Sequence, residues 1–327
     1  MIEVRKYTKE DRGIWNNFIF QAKNATFLFD RNFIEYHEDR FVDHSLVILT
    51  NNKIIALLPA NINKNMEIVS HSGLTYGGLV VSKEIGLNLY LKIFKEMLKF
   101  LNTLGFKQLK LKILPVFYCQ IPSQEHAYAM FLTNAKIYRL DTALTINQDV
   151  RLVYQGRRIR SIKKGNKGNY FITKDNNFSA FWKEILEPNL FDRFGTKPIH
   201  SLSEIELLAE KFPNNISQIN IYDNNNKIVA GATIFETETV AHAQYISAND
   251  YGRKFGALDK LFDEMIRNIY NDKKYFDFGI SNEQSEKMLN HGLLDWKEGF
   301  GGRTYVHEFY AIDTDKYNLL NEVVKND

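Results

Sequence analysis

The sequence predicts two α/β domains built on one plan, and three observations carry that expectation. Residues 52–62, NKIIALLPANI, and 226–236, NKIVAGATIFE, give a similar turn followed by nearly the same apolar strand. In both places a short apolar strand precedes the turn, and a further strand, a long helix and another strand follow it. Between the copies, NQDVRLVYQGRR interrupts the pattern with no Gly/Ser- or Pro-rich linker, so the boundary is expected near 148–160 and the domains at 1–150 and 151–327.

Taken in order, SLVILT and the strand after the first turn read as a hairpin, since two apolar runs flank turn-forming asparagines. MEIVS and TYGGLVV continue as strands. EIGLNLYLKIFKEMLKFLNTLG repeats its apolar residues at helical spacing, and KQLKLKI alternates like a strand. The second copy follows suit with SQINIYD, VAHAQYIS, the helix FGALDKLFDEMIRNIYN and the strand KYFDFGI. Each copy is expected to finish with a shorter helix and a final pair of strands.

Composition limits the function classes. The chain has 327 residues, enough for more than one core. Its 42 basic and 39 acidic residues create no general field for nucleic acid. RRIRSIKKGNKG (157–168) is nonetheless densely basic, and reads as a solvated helix and turn or as an anion contact. No apolar run approaches the ~20 residues of a membrane span, and MIEVRKYTKEDRG has no signal-like apolar segment, so a cytoplasmic protein without membrane contact is expected. Cys119 is the single cysteine, which excludes an internal disulfide and a cysteine-built zinc site. The eight histidines lack metal-ligand spacing, and no Gly-x-Gly-x-x-Gly follows an early strand, so neither a metal nor a dinucleotide is expected.

The stretch QYISANDYGRKFGALDKLFDEMI (244–266) passes from strand to amphipathic helix through two glycines and two basic residues. A helix's first turn offers free N–H groups and the positive end of its dipole. Gly256 is expected to let the backbone approach a diphosphate, with Arg253 and Lys254 at the rim. The equivalent helix of the first copy starts with Glu84 in its first turn, which would repel the same ligand.

RKFGAL (253–258) resembles the basic-x-x-Gly-x-small diphosphate loop of the Gcn5-related N-acetyltransferases (GNAT), with the small residue shifted to Ala257. Its setting, after a fourth strand and before the long helix to a fifth, also resembles that family. The duplication is similar to a tandem-domain branch that holds the Fem aminoacyl transferases and bacterial sugar N-acyltransferases, as are RFGTKPIHSLSEIELLAEKFP, FDFGISNE, WKEGFGGRTYVHEFY and SHSGLTYGGLVV. The resemblance implies two tandem GNAT-like domains, each a mixed, mostly antiparallel sheet flanked by helices. It implies an acyl-coenzyme A-dependent N-acyltransferase with no permanent cofactor. The implied acceptor is a nucleotide-linked amino sugar, a dTDP-linked 3-amino-3,6-dideoxyhexose taking a 3-hydroxybutanoyl group for cell-surface polysaccharide, and the implied state is a monomer or weak dimer. A Fem-type aminoacyl-tRNA transferase is the alternative within the branch, although the sequence lacks a charged coiled-coil arm. A noncatalytic nucleic-acid binder using Arg157–Lys167 is the alternative outside it.

In the resembled fold, strands four and five splay apart and backbone N–H groups of strand four hold the thioester. The implied coenzyme contacts are therefore Ile246 and Ser247 with Arg253, Lys254, Phe255, Gly256 and Ala257. Catalytic candidates fall on 240–247 and 275–283. Strict alternation puts His242 and Gln244 on one strand face and Tyr245 and Ser247 on the other. His242 suits a proton acceptor or a packed imidazole, and Tyr245 a proton donor to the thiolate or an ordinary packed ring. Asp277 suits a group that orients or deprotonates the amine, or a structural carboxylate. Glu283 is expected to bind the substrate, or to begin the next helix as a structural dipole neutraliser. For the acceptor, His71, Tyr76, Gly77 and Gly78 allow backbone approach and stacking, or form a bulged strand. Arg193, Lys197 and His200 suit its diphosphate; Lys297 and Arg303 around three glycines suit an anion or a tight turn.

Overall fold

The computed structural model describes residues 1–283 and 287–324. The chain divides into two compact units, Met1–Asp141 with Val306–Asp327, and Thr142–Tyr305.

Unit 1 begins with β1 (Ile2–Lys6), α1 (Arg12–Gln21), α2 (Arg31–Ile34) and β2 (Val42–Asp43). The first hairpin follows as β3 (Leu46–Thr50) and β4 (Lys53–Leu58). It closes on Asn51 and Asn52, both left-handed at φ 48° and 60°, a two-residue turn whose twist matches that of the strands. Next come β5 (Asn61–Ile62), β6 (Ile68–Ser70), β7 (Val80–Val81), α3 (Leu87–Thr103), β8 (Gln108–Lys112), α4 (Glu125–Leu132) and β9 (Lys136–Asn147). α3 buries Tyr90, Leu91, Phe94, Leu98 and Leu101, a stripe at i, i+3 or i+4 spacing that faces the unit's core. Each such side chain contributes roughly 1.5–3 kcal/mol by leaving water.

Unit 2 contains α5 (Gly156–Lys167), β10 (Phe171–Thr173), α6 (Phe178–Phe181), α7 (Glu187–Phe194) and α8 (Leu202–Lys211). It continues with β11 (Ile216–Tyr222), β12 (Ile228–Glu236), β13 (Val240–Ala248), α9 (Asp250–Phe255), α10 (Ala257–Glu264), β14 (Tyr275–Ile280) and α11 (His291–Gly299), and β15 (Arg303–Asp313) follows. Ser201 caps α8, with Glu204 reaching back in a capping box. The unit's strands lie in the order β10-β11-β12-β13-β14-β9, antiparallel throughout except for the parallel pair β13 and β14. The hairpin β11–β12 matches the first in place but not in its turn. Asp223 accepts from the N–H groups of Asn225 and Lys227, and only Asn226 is left-handed.

The expected pair of closing strands in each copy is one long strand, β9 in the first and β15 in the second. Residues 143–147 of β9 pair with β14 in unit 2, while 309–313 of β15 pair with β8 in unit 1. The compact units therefore differ from the expected division at 150. Edge hydrogen bonds decide which sheet a strand joins, and neighbourhood in sequence does not.

α5 crosses α10 at two glycines. A Cβ added to Gly165 would run into the Gly256 carbonyl oxygen, and one added to Gly256, left-handed at φ 76°, would run into that of Ser161. Gly165→Ala is expected to destabilise unit 2 by about 1–3 kcal/mol through overpacking in denaturant unfolding. Gly13→Ala, in α1 with nothing within 4 Å of the added carbon, is the control and is expected to be neutral or stabilising. Equal midpoints for Gly165→Ala and the native chain would refute this close crossing.

Candidate active site

The parallel ladder between β13 and β14 runs Val240↔Tyr275, Ala241↔Phe276 and His242↔Asp277, and ends there. β13 continues to Ala248 and β14 to Ile280, so the two strands part just beyond a histidine and a carboxylate. His242 Nδ1 lies 2.7 Å from Asp277 Oδ2. Asp277 has no exposed surface, and its Oδ1 accepts from Thr145 Oγ1 at 3.0 Å and from the Gly279 N–H at 2.9 Å. Gly279 is left-handed at φ 72°, and a Cβ there would sit 3.2 Å from His242 Cε1. His242 Nε2 faces Gln244 Oε1 at 3.2 Å.

Behind the dyad, Lys297 is 1% exposed and donates from Nζ to the carbonyls of Gly279 (2.9 Å) and Ile280 (2.6 Å). Burial brings its ammonium down to about 7, against the opposing pull of Asp277. Lys297 thus fixes the end of β14 from within.

A bulge corrects the expected face assignment on β13. The register against β12 shifts between Thr233↔Tyr245 and Ile234↔Ala243, leaving Gln244 as the extra residue. Ala241, Ala243, Ile246 and Ala248 consequently pack on the core, whereas Tyr245 and Ser247 turn away from it as His242 does. The Tyr245 hydroxyl accepts from the His200 N–H at 3.1 Å and lies 2.7 Å from His200 Nδ1. Asn189 Nδ2 donates to Ser247 Oγ (2.7 Å) and to the Ala248 carbonyl (2.9 Å). His242, Asp277 and Lys297 are therefore brought together, while Tyr245 is engaged with His200.

The expected diphosphate cradle is closed. Gly256 and Ala257 are buried beneath α5. Asp259, in the first turn of α10, accepts from Trp296 Nε1 at 2.7 Å and is bonded by Arg158 and Ser161. Glu84, expected in the first turn of the first copy's helix, instead lies in the turn before α3, whose first turn holds no acidic residue; it is Asp259 that occupies a first turn and opposes an anion there. Arg253 is held by the Ala248 carbonyl and by Asp250, and the Gly252 N–H by the Asn249 side chain. Lys254 is exposed and Phe255 half-buried.

The acceptor residues scatter. In unit 1 the parallel ladder β6–β8 also has three pairs, ending at Ser70↔Leu111, so these two residues stand where unit 2 has His242 and Asp277. The chain then folds back into the gap: the Gly77 N–H donates to the Lys112 carbonyl at 2.7 Å, and Gly77 abuts the Ser70 carbonyl. Gly78 donates to Ser70 Oγ at 3.1 Å, and Tyr76 is buried with its hydroxyl on Thr26 at 3.1 Å. These residues close a strand junction instead of opening to a ligand. His71 lines a cavity of about 280 Å³, with Tyr7, Arg31, Phe41 and His44 in its wall. Burial pushes the His71 imidazole down to about 3 and that of His44 to about 4. In unit 2, Glu283 is exposed and its N–H donates to the Met288 carbonyl at 2.9 Å; the helix expected to begin there falls on residues 284–286, which lie outside the described residues. Lys297 points inward and Arg303 outward, so they form no joint anion contact. Arg193 is exposed near Asp250, Lys197 is exposed, and His200 is buried.

Neither a protein-family model nor a curated protein sequence matches the chain. Solved structures do. FemX superposes with a TM-score of 0.66 at 11% identity, covering 98% of this chain and 100% of that one. L-PGS from Bacillus licheniformis gives 0.61 at 10%, covering 99% of each. A tandem GNAT protein from the clavulanic acid biosynthesis pathway gives 0.50 at 10%, covering 96% and 99%.

Lys297 generates a pH prediction. Its folded value near 7 lies below the ordinary 10.5, so the burial cost is fully present below pH 7 and is relieved as pH rises toward 10.5. The stability of the native chain relative to Lys297→Met is expected to climb between pH 7 and 10 in denaturant titrations; a flat difference would contradict a buried, depressed amine. Over nearly all of its length, the chain has the fold of two tandem GNAT-like domains.

Proposed function

We propose that this protein transfers an activated acyl group to a primary amine by direct attack in unit 2, with the His242–Asp277 dyad as proton acceptor. The observation that carries the reading is the dyad's place at the last rung of the parallel ladder, where the strands part. Its absence from the matching rung of unit 1, Ser70 and Leu111, sets the two copies apart. With Nδ1–H donated to the Asp277 carboxylate, His242 Nε2 is left basic. The amine nitrogen forms a bond to the acyl carbon, its proton passes to Nε2, and the bond from that carbon to the leaving group breaks as the leaving group takes up the proton. Gln244 Oε1 at 3.2 Å would accept from the imidazolium once it forms.

The donor and acceptor in this reading are a coenzyme A thioester and a nucleotide-linked amino sugar, supported by the resemblance of the segments around 193–213, 276–283 and 296–310. A cytoplasmic site of action belongs to the same proposal. A second reading, transfer from an aminoacyl ester of RNA as in the Fem transferases, is favoured by one observation: with Gly256 buried under α5, α10 offers no open first turn to a diphosphate.

Thiol release measured alongside amine acylation separates the two, because only a thioester donor liberates a thiol. With the productive donor, Asp277→Asn and His242→Gln are each expected to lower kcat by roughly 10²–10⁴-fold, with donor KM little changed. Unchanged turnover in both variants would remove the dyad from the mechanism. A donor present at 100 times its Kd is expected to stabilise the chain by ~2.7 kcal/mol in thermal unfolding.

A further inference from the structure

One face of unit 2 takes no part in the dyad and carries large apolar and basic side chains together. On α7 and the loop after it, Phe191, Phe194 and Ile199 expose 69%, 57% and 76% of their surface, and Tyr251 on α9 exposes 50%. The segment is fastened at both ends, by Asn189 to Ser247 and by His200 to Tyr245, while these side chains between them remain in solvent. α7 meets the end of β13, where Asn189 donates to Ser247 and to the Ala248 carbonyl, and α9 begins at Asp250 directly after it. α9 adjoins α5, where Lys164 Nζ donates to the Lys254 carbonyl at 2.7 Å.

α5 supplies the charge. It contains basic residues and no acidic one. Arg157 and Arg158 are met by Asp295 and Asp259. Arg160, Lys163 and Lys167, at i, i+3 and i+7 on the exposed side of the helix, have no ion pair among the described residues. A chain with a formal charge of only +3 thus gathers unpaired positive charge on α5, in the same unit as these exposed apolar side chains.

We propose that this face, formed by α7 with its following loop, α9 and α5, docks the protein on the surface of an anionic lipid bilayer. Apolar side chains that enter the headgroup boundary, with cations beside them on lipid phosphates, are the composition of a segment that lies on a membrane. A single-stranded RNA would use the aromatic rings and the lysines, but it has no use for an aliphatic Ile199 held in water, whereas hydrocarbon takes all three apolar groups of the α7 segment. No helix among the described residues is long and apolar enough to cross a membrane, so the contact is peripheral. It revises the expectation of no membrane contact and stands apart from the proposed acyl transfer.

Flotation of the full chain with vesicles tests it. Binding is expected to vesicles of phosphatidylcholine with roughly 30 mol % phosphatidylglycerol, and not to phosphatidylcholine alone. Phe191→Ser with Phe194→Ser, and separately Lys163→Glu with Lys167→Glu, are each expected to weaken binding at least about tenfold. Thermal unfolding of both variants should match the native chain, because the four side chains are exposed. Absence of flotation with anionic vesicles overturns the proposal. So does flotation that survives both phenylalanine substitutions, or binding to a single-stranded RNA oligonucleotide without binding to vesicles.

Discussion

A carboxylate with no exposed surface must be met by donors, and Asp277 is met from three strands at once: Thr145 on β9, the Gly279 N–H on β14 and His242 on β13. Leaving such a charge buried and unpaired costs several kcal/mol, so the three strands are held in register at this point. Beyond it Gly279 turns left-handed, Lys297 takes the next two carbonyls, and β13 and β14 go separate ways. The same carboxylate therefore ends the ladder, orients the imidazole and sets the position of the gap.

The duplicated plan gives an internal comparison. Each unit has a three-pair parallel ladder followed by a place where its strands would separate. Unit 1 fills that place with its own backbone from His71 to Gly78, and Gly77 has no room for a side chain because the Ser70 carbonyl lies against it. Unit 2 keeps the charged rung. One copy of the plan thus has a packed junction and the other ionisable groups, a division that overall composition does not register.

The helix α5 explains why the anion cradle expected at 253–257 is closed. Gly165 and Gly256 allow the backbones of α5 and α10 to meet, and Asp259 then answers both the helix dipole and Arg158. Glycine in such a sequence pattern permits close approach without saying what approaches; here it is another helix. The basic residues of α5 divide accordingly, some turned inward to carboxylates and others left in solvent.

Much of the architecture was legible from residues alone. The repeat NKIIALLPANI/NKIVAGATIFE, the amphipathic period of α3 and α10, and the alternation in KYFDFGI determined the element types and their order, because period and turn chemistry are local properties. His242 and Asp277 were legible as candidates because polar residues amid apolar strands demand partners, whereas Lys297 was read as an anion contact or part of a turn and its burial against the end of β14 was not legible. Only the tertiary structure decided which partners. The bulge at Gln244 reversed strand parity, the edges of β14 and β8 chose between the closing strands β9 and β15, and α5 covered Gly256. Each of these depends on contacts between residues distant in the chain, where no local period reaches.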